Sequence, residues 1–260
     1  MDARDKRAFT PVFDGLCAAM TSAKDETMTD TPRLALPVIE AAQAQKHVTH
    51  NEALVLLDAL VQLTIESRTL NAPPEAPVDG AAYIPAGGAT GAWSGWDGQI
   101  AVYNAGWLRI MPAPGLKAWV RAERLTLTYE DGIWRDGIAL TANGGRVTLR
   151  AKEEEVTLAG AFVETADTAF IPDRAVVLGV ASRTTEAVTG ATSYAVGTAS
   201  ETTKFGDLLG IVLGATNIGV VGPTAFYADT KVRVTANGAS FTGGKVRLIC
   251  YYMEMSAPDA

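Results

Sequence analysis

The sequence predicts a mainly β protein with an N-terminal helical segment, a small aromatic β-hairpin domain and then an antiparallel β-sandwich or jelly-roll-like domain. Asn71–Pro77 holds three prolines in seven residues and separates helix-like from strand-like sequence. Two hairpins with a Tyr-turn-Gly-Trp layout follow it. From about Ala166 onward, Val/Thr/Gly-rich runs alternate with turns at Thr189-Gly190, Asn237-Gly238 and Gly243-Gly244 without an amphipathic helix.

Residues 1–31 mix charge, Thr, Pro and Gly without periodicity and read as an irregular extension, with residues 1–27 dispensable for folding. Residues 32–70 read as a helical segment. Thr49-His50-Asn51-Glu52 is a capping-box pattern, so a helix is expected to start there. Ala53, Leu54, Leu56, Leu57, Leu60, Val61 and Leu63 then cover more than one apolar stripe, leaving Asp58 and Gln62 as a polar ridge. Packing against symmetry mates would cover that surface, which makes Leu54, Leu57, Leu60 and Val61 the expected oligomer interface. A helix buried in its own domain is the alternative.

The prolines end the helix, because proline lacks the amide donor and biases its predecessor to extended geometry. Residues 71–135 read as a Trp-rich β domain: Ile100–Tyr103 and Trp107–Met111 flank Asn104-Ala105-Gly106, and a second hairpin turns at Glu130-Asp131-Gly132. Residues 136–165 read as a linker or exposed strand pair. Residues 166–260 form the sandwich, where Val246, Leu248, Cys250 and Tyr252 alternate with polar positions, so Cys250 is expected as a buried thiol.

At 260 residues the chain accommodates two modest domains. Its 29 acidic and 22 basic residues give a net charge of −7, the wrong sign for phosphate-driven nucleic-acid binding. No apolar run approaches the roughly 18 residues of a membrane span. Pro11, Asp14 and Lys24 interrupt the region where a signal peptide would need an apolar core, so the chain reads as cytoplasmically made and released by lysis rather than exported. Two cysteines, Cys17 and Cys250, do not make a disulfide framework.

No catalytic set emerges. His47 and His50 lack a third metal ligand nearby and no nucleophile elbow accompanies them, so both read as structural. Gly87-Gly88-Ala89-Thr90-Gly91 lacks the Gly-Lys-Ser/Thr ending of a phosphate loop. Glu123, Glu130, Asp131, Glu164, Asp167 and Asp173 offer carboxylates for glycoside hydrolysis, but spacing in sequence does not pair them. Trp93, Trp96, Trp107, Trp119 and Trp134 cluster in one short stretch, either as the large rings of a small core or as stacking surfaces for sugars. Trp93 and Trp96, in a Gly-rich loop, are the expected exposed exceptions. Tyr194, Phe226 and Tyr227 join them as glycan-binding candidates near turns. The reading assigns no cofactor and no metal.

Leu36-Pro37, the run Ala41-Ala42-Gln43-Ala44-Gln45-Lys46-His47-Val48-Thr49-His50-Asn51-Glu52-Ala53-Leu54 and Leu57-Asp58 resemble an uncharacterised domain family of prophage and gene-transfer-agent tail-fibre and head-spike proteins. The resemblance continues through Ala72-Pro73-Pro74, Pro77-Val78-Asp79-Gly80, Gly91-Ala92-Trp93 and the two hairpins, over about residues 33–135. A weaker similarity covers Val188–Tyr194 and Phe205-Gly206. It implies a non-enzymatic virion subunit, a homotrimer that partners other particle proteins and attaches to host surface polysaccharide. A polysaccharide-degrading enzyme and a free carbohydrate-binding module are the alternatives.

Overall fold

The computed structural model describes residues 30–39 and 46–258. The expectations for residues 1–27 and for Cys17 lie outside the described residues. The protein is mainly β, with 46% strand against 7% helix, and divides between Asp136 and Gly137 into two compact units.

In the first unit, helix α1 (Lys46–Leu60) precedes β1 (Thr64–Ile65), β2 (Ala82–Tyr83), a single 3-10 turn (Gly91–Trp93), β3 (Ile100–Tyr103), β4 (Trp107–Ile110), β5 (Lys117–Val120), β6 (Leu125–Glu130) and β7 (Ile133–Asp136). The strands form one seven-stranded sheet in the order β4-β3-β2-β1-β5-β6-β7. β1 runs parallel to β2 and β5, while every other pair is antiparallel. Both predicted hairpins are present, and both carry a Tyr opposite a Trp: Tyr103 faces Trp107 and Tyr129 faces Trp134. Their ring centroids lie 5.1 and 5.2 Å apart, a cross-strand aromatic pair used twice.

α1 packs Val55 and Ala59, followed by Leu63, onto Ile65, Ile100, Val102, Leu108, Val120 and Leu127 from the sheet. The helix begins at least three residues before the expected cap, so Thr49 sits within it; nothing in Lys46-His47-Val48 breaks a helix. Residues 30–39 are not helical. Thr31 and Leu36 close a turn through main-chain bonds, and Asn51 on α1 donates to the Ile39 carbonyl and accepts from the Ile39 amide, at 3.0 and 2.9 Å.

The second unit contains β8 (Ala139–Leu140), β9 (Arg146–Thr157), β10 (Phe162–Glu164), β11 (Val176–Thr189), β12 (Ser193–Gly197), β13 (Gly206–Leu209), β14 (Thr216–Ala225), β15 (Arg233–Asn237) and β16 (Gly243–Ser256). A five-stranded sheet, β14-β11-β16-β9-β8, and a four-stranded sheet, β10-β15-β12-β13, share one core, which makes this unit sandwich-like. The core takes Val177, Val180, Val246, Leu248 and Cys250 from the first sheet and Tyr194, Val196 and Val234 from the second. Residues 136–165, expected as a linker or strand pair, contribute the antiparallel pair β8–β9, in which β9 meets β16 over its full length from Arg146 to Thr157 and β8 at Arg146 and Val147 alone among the described strands. The charges of β9 lie on both faces: Glu153 and Glu155 are exposed, while Arg150, Lys152 and Glu154 alternate with them on the side of buried Val156. Gly219 has no room for a side chain, because a Cβ there would collide with the Phe205 carbonyl where β13 closes over β14.

Candidate functional site

An exposed apolar stretch of the second unit lies along β13, the turn after it, and β14. Leu208 is 75% exposed, Val212 66%, Leu213 69%, Ile218 75% and Val220 74%. Residues 208–228 contain no Asp, Glu, Lys, Arg or His, in a chain that is 20% charged. Five aliphatic side chains exposed to that degree present about 600 Å² of apolar surface, the upper end of what a monomer normally shows. β14 is also the edge of its sheet: among the described strands its main chain pairs with β11 alone, and the Asn217 side chain donates to the Phe205 carbonyl at 2.9 Å. On the outward face of that sheet Ala181 lies between Ile218 and Ile249, and Gly179 between Val220 and Tyr251. Ala181, with Ile218 and Ile249 on either side, floors a groove of about 390 Å³ that ends at Arg183, Arg247 and Glu153.

Of the sequence-predicted aromatic candidates here, only Tyr227 stands free, at 84% exposure. Tyr194 is a correction: it is buried, and its hydroxyl lies 3.2 Å from Thr184 Oγ1, which donates to the Gly210 carbonyl at 3.0 Å. A ring on β12 meeting a hydroxyl on β11 ties the two sheets together, and a turn neighbour in sequence gave no sign of that. Phe226 is half-buried against the core, its amide donating to the Ala175 carbonyl.

In the first unit, the four residues expected at an oligomer interface separate. Leu57 is 49% exposed and Val61 38%, while Leu54 is half-buried and Leu60 packs against the core. Asp58, expected on an exposed ridge, is instead 2% exposed. Its carboxylate accepts from Thr31 Oγ1 at 2.8 Å, the Leu34 amide at 2.6 Å and the Arg33 amide at 3.1 Å. Arg33 in turn donates from its guanidinium to the Asp58, Ala59 and Gln62 carbonyls, satisfying the end of α1.

Trp93 is the second correction: it is fully buried. It plugs a small satellite core with Ala89 and Ala101, 5.4 Å from the Tyr83 ring and 4.9 Å from Trp107. Its indole nitrogen is buried without a hydrogen-bond partner. The loop that carries it is pinned by the Ala89 amide donating to Asp97 and by Trp134 Nε1 donating to the Gly98 carbonyl, at 2.7 and 2.8 Å. Trp96 and Trp107 are half-buried around the plug, and burial together with the Glu66 charge pushes the Tyr83 phenol up. The most exposed tryptophan is Trp119, at 43%. It stands on β5 opposite Thr64, next to a groove of about 560 Å³ lined by Arg33, Thr64, Glu66, Asp79 and Arg121. Arg121 pairs with Glu66 at 2.8 Å, and Asp79 accepts the Ala105 amide at 2.8 Å.

Of the carboxylates considered for hydrolysis, Glu123 is bidentate with Arg68, Glu164 accepts from Arg233 Nε and Nη2, Asp167 lies 2.5 Å from Lys152 Nζ and Asp173 lies 3.6 Å from Arg174, while Glu130 and Asp131 sit at the turn between β6 and β7. His50 is exposed on α1, and among the described residues no three His, Cys, Asp or Glu side chains cluster as metal ligands. Burial pushes the Cys250 thiol up to about 12, against a smaller downward pull from Lys152. Among the described residues no helix is long and apolar enough to cross a membrane.

Residues 50–135 match a family described as a protein of unknown function (DUF2793). The matched region runs from the second turn of α1 to the penultimate residue of β7, nearly the whole sheet of the first unit. A comparison with curated proteins gave no match.

The sequence signal of the β13–β14 edge is compositional, the uncharged run from Leu208 to Ala228, and no single chemistry-bearing side chain marks it. Loop position does not confer exposure on Trp93 and Trp96, because the 84–99 loop folds back on the sheet, whereas Trp119 on a strand stays open.

Proposed function

We propose that this protein is a self-associating, non-catalytic structural subunit of a phage-like particle, a tail fibre or head spike, that attaches the particle to surface polysaccharide. The observation that carries the assembly part is the charge-free, exposed aliphatic edge at β13–β14. Apolar area at that upper limit, gathered on an uncharged stretch of a chain with net charge −7, supports a surface that another protein covers. Leu57 and Val61 on α1 add a second apolar stretch in the other unit. Placement on a particle rests on the resemblance of the Gln45–Glu52 segment and the aromatic hairpins to the tail-fibre and head-spike family.

Polysaccharide attachment is supported by Trp119 beside the polar groove. An indole face next to carboxylate, guanidinium and hydroxyl groups is the arrangement that stacks on one sugar and bonds its neighbours. Single sites of this kind are weak, and repeated presentation on an oligomer raises avidity by orders of magnitude. The test is mass spectrometry of purified particles from the source strain, joined to binding of the purified protein to whole cells and extracted glycan. The chain is expected among the particle proteins, with Trp119→Ala weakening glycan binding at unchanged fold. Release of sugar fragments would favour the depolymerase reading instead, and absence from particles would remove the virion role.

A further inference from the structure

We propose that β14 pairs antiparallel with β14 of a second copy of this chain, centred on Ile218, so that the two five-stranded sheets join into one. This rests on the self-association reading and gives it a partner and a register, with an even-numbered assembly in place of the homotrimer that the family resemblance implies.

The other three sheet edges of the unit are guarded. β8 is two residues long and covers Arg146 and Val147 of β9, whose further length carries Arg150, Lys152 and the run Glu153–Glu155, and β10 is three residues long, with Glu164 bridged to Arg233 and that guanidinium 4.1 Å from the Phe162 ring centroid. β13 is short, carries Asp207 and is bent by Leu208 at φ 53°. β14 has ten residues and no charge. Long uncharged edges are what folded proteins avoid leaving open, because their free amides and carbonyls template another strand.

The register follows from where β14 is regular. Thr216–Val220 pair one-to-one with Arg183–Gly179, after which the ladder slips through a bulge and Pro223 removes a donor. The usable window is therefore 216–220, with Ile218 at its middle. A two-fold axis there places Ile218 opposite its own copy and Val220 opposite Thr216. All three residues lie on the exposed face and all are β-branched, the side chains that pair best across strands. A two-fold contact requires such self-complementarity. With Leu208, Val212 and Leu213 flanking the strand, the aliphatic surface of about 600 Å² reaches the lower end of the roughly 600–1,000 Å² per partner of a standard interface.

Two variants test this in the full-length chain. In a Cys17→Ser background, Ile218→Cys is expected to form an intermolecular disulfide under mild oxidation, since directly opposed antiparallel residues have Cα atoms about 4.5–5.5 Å apart. Leu213→Cys, equally exposed but away from the axis, is expected not to. Ile218→Lys should halve the mass of the assembly measured by sedimentation, with an unchanged thermal melt showing that the fold is kept. An odd-numbered assembly such as a trimer, or an even one indifferent to Ile218→Lys, would overturn the β14 pairing and leave self-association standing. A monomer at every concentration would overturn both.

Discussion

Thr31 Oγ1 donates to Asp58 Oδ1 across 2.8 Å, joining the chain before α1 to the buried side of that helix. With the Leu34 and Arg33 amides on the same carboxylate, Asp58 organises residues 31–36 as one turn. Asp58→Ala leaves two main-chain amides without their acceptor and is expected to destabilise the first unit by about 3 kcal/mol. Urea unfolding followed by tryptophan fluorescence measures it, since all five tryptophans lie in that unit. A change under 0.5 kcal/mol, the size of an ordinary surface substitution, would show that the turn holds without Asp58.

Trp93 and Trp119 should behave oppositely. Trp93→Ala empties the centre of the satellite core and is expected to cost about 3–5 kcal/mol. Trp93→Phe should cost much less, because it keeps a ring and removes an indole N–H that has no partner. Trp119→Ala should leave the melt nearly unchanged.

The Cys250 thiol is expected to be inert in the folded protein. It is fully buried and its ionisation is pushed up to about 12, so almost no thiolate exists at pH 8. In a Cys17→Ser chain, a thiol reagent should label one equivalent in denaturant and none under native conditions; rapid native labelling would mean that the sandwich opens readily.

Asp167 links the second unit to pH. Its carboxyl is held below the ordinary 3.8 first by the Lys152 hydrogen bond and then by the Ala169 amide. A lowered folded-state value stabilises above the unfolded value and loses that contribution as pH falls through the folded one. The melting temperature of Asp167→Asn should therefore fall short of wild type at pH 6, and the gap should close below pH 3.8. A gap that persists unchanged into strong acid would assign the effect to lost packing.

Much of the fold was legible because hydrophobic alternation is local. The 100–111 and 125–136 hairpins and the strand through Cys250 could be read from side-chain period and turn residues alone. Burial set by distant chain was not. Asp58 looked like solvent-facing polarity because its donors come from residues 31–34, and Trp93 looked exposed because loop 84–99 returns to its own sheet. Tyr194 sits beside a turn, yet its ring points at Thr184 in the opposite sheet. The assembly edge had a signal that no single residue carries, the missing charge over 208–228, and its meaning depended on knowing that β14 lies at the end of its sheet.

The central claim, that this chain assembles with itself, is tested most directly by sedimentation equilibrium of the purified full-length protein over a wide concentration range. The account predicts a mass of at least two chains of 27.3 kDa each at micromolar concentration. A compact species of 27.3 kDa at every concentration would contradict it.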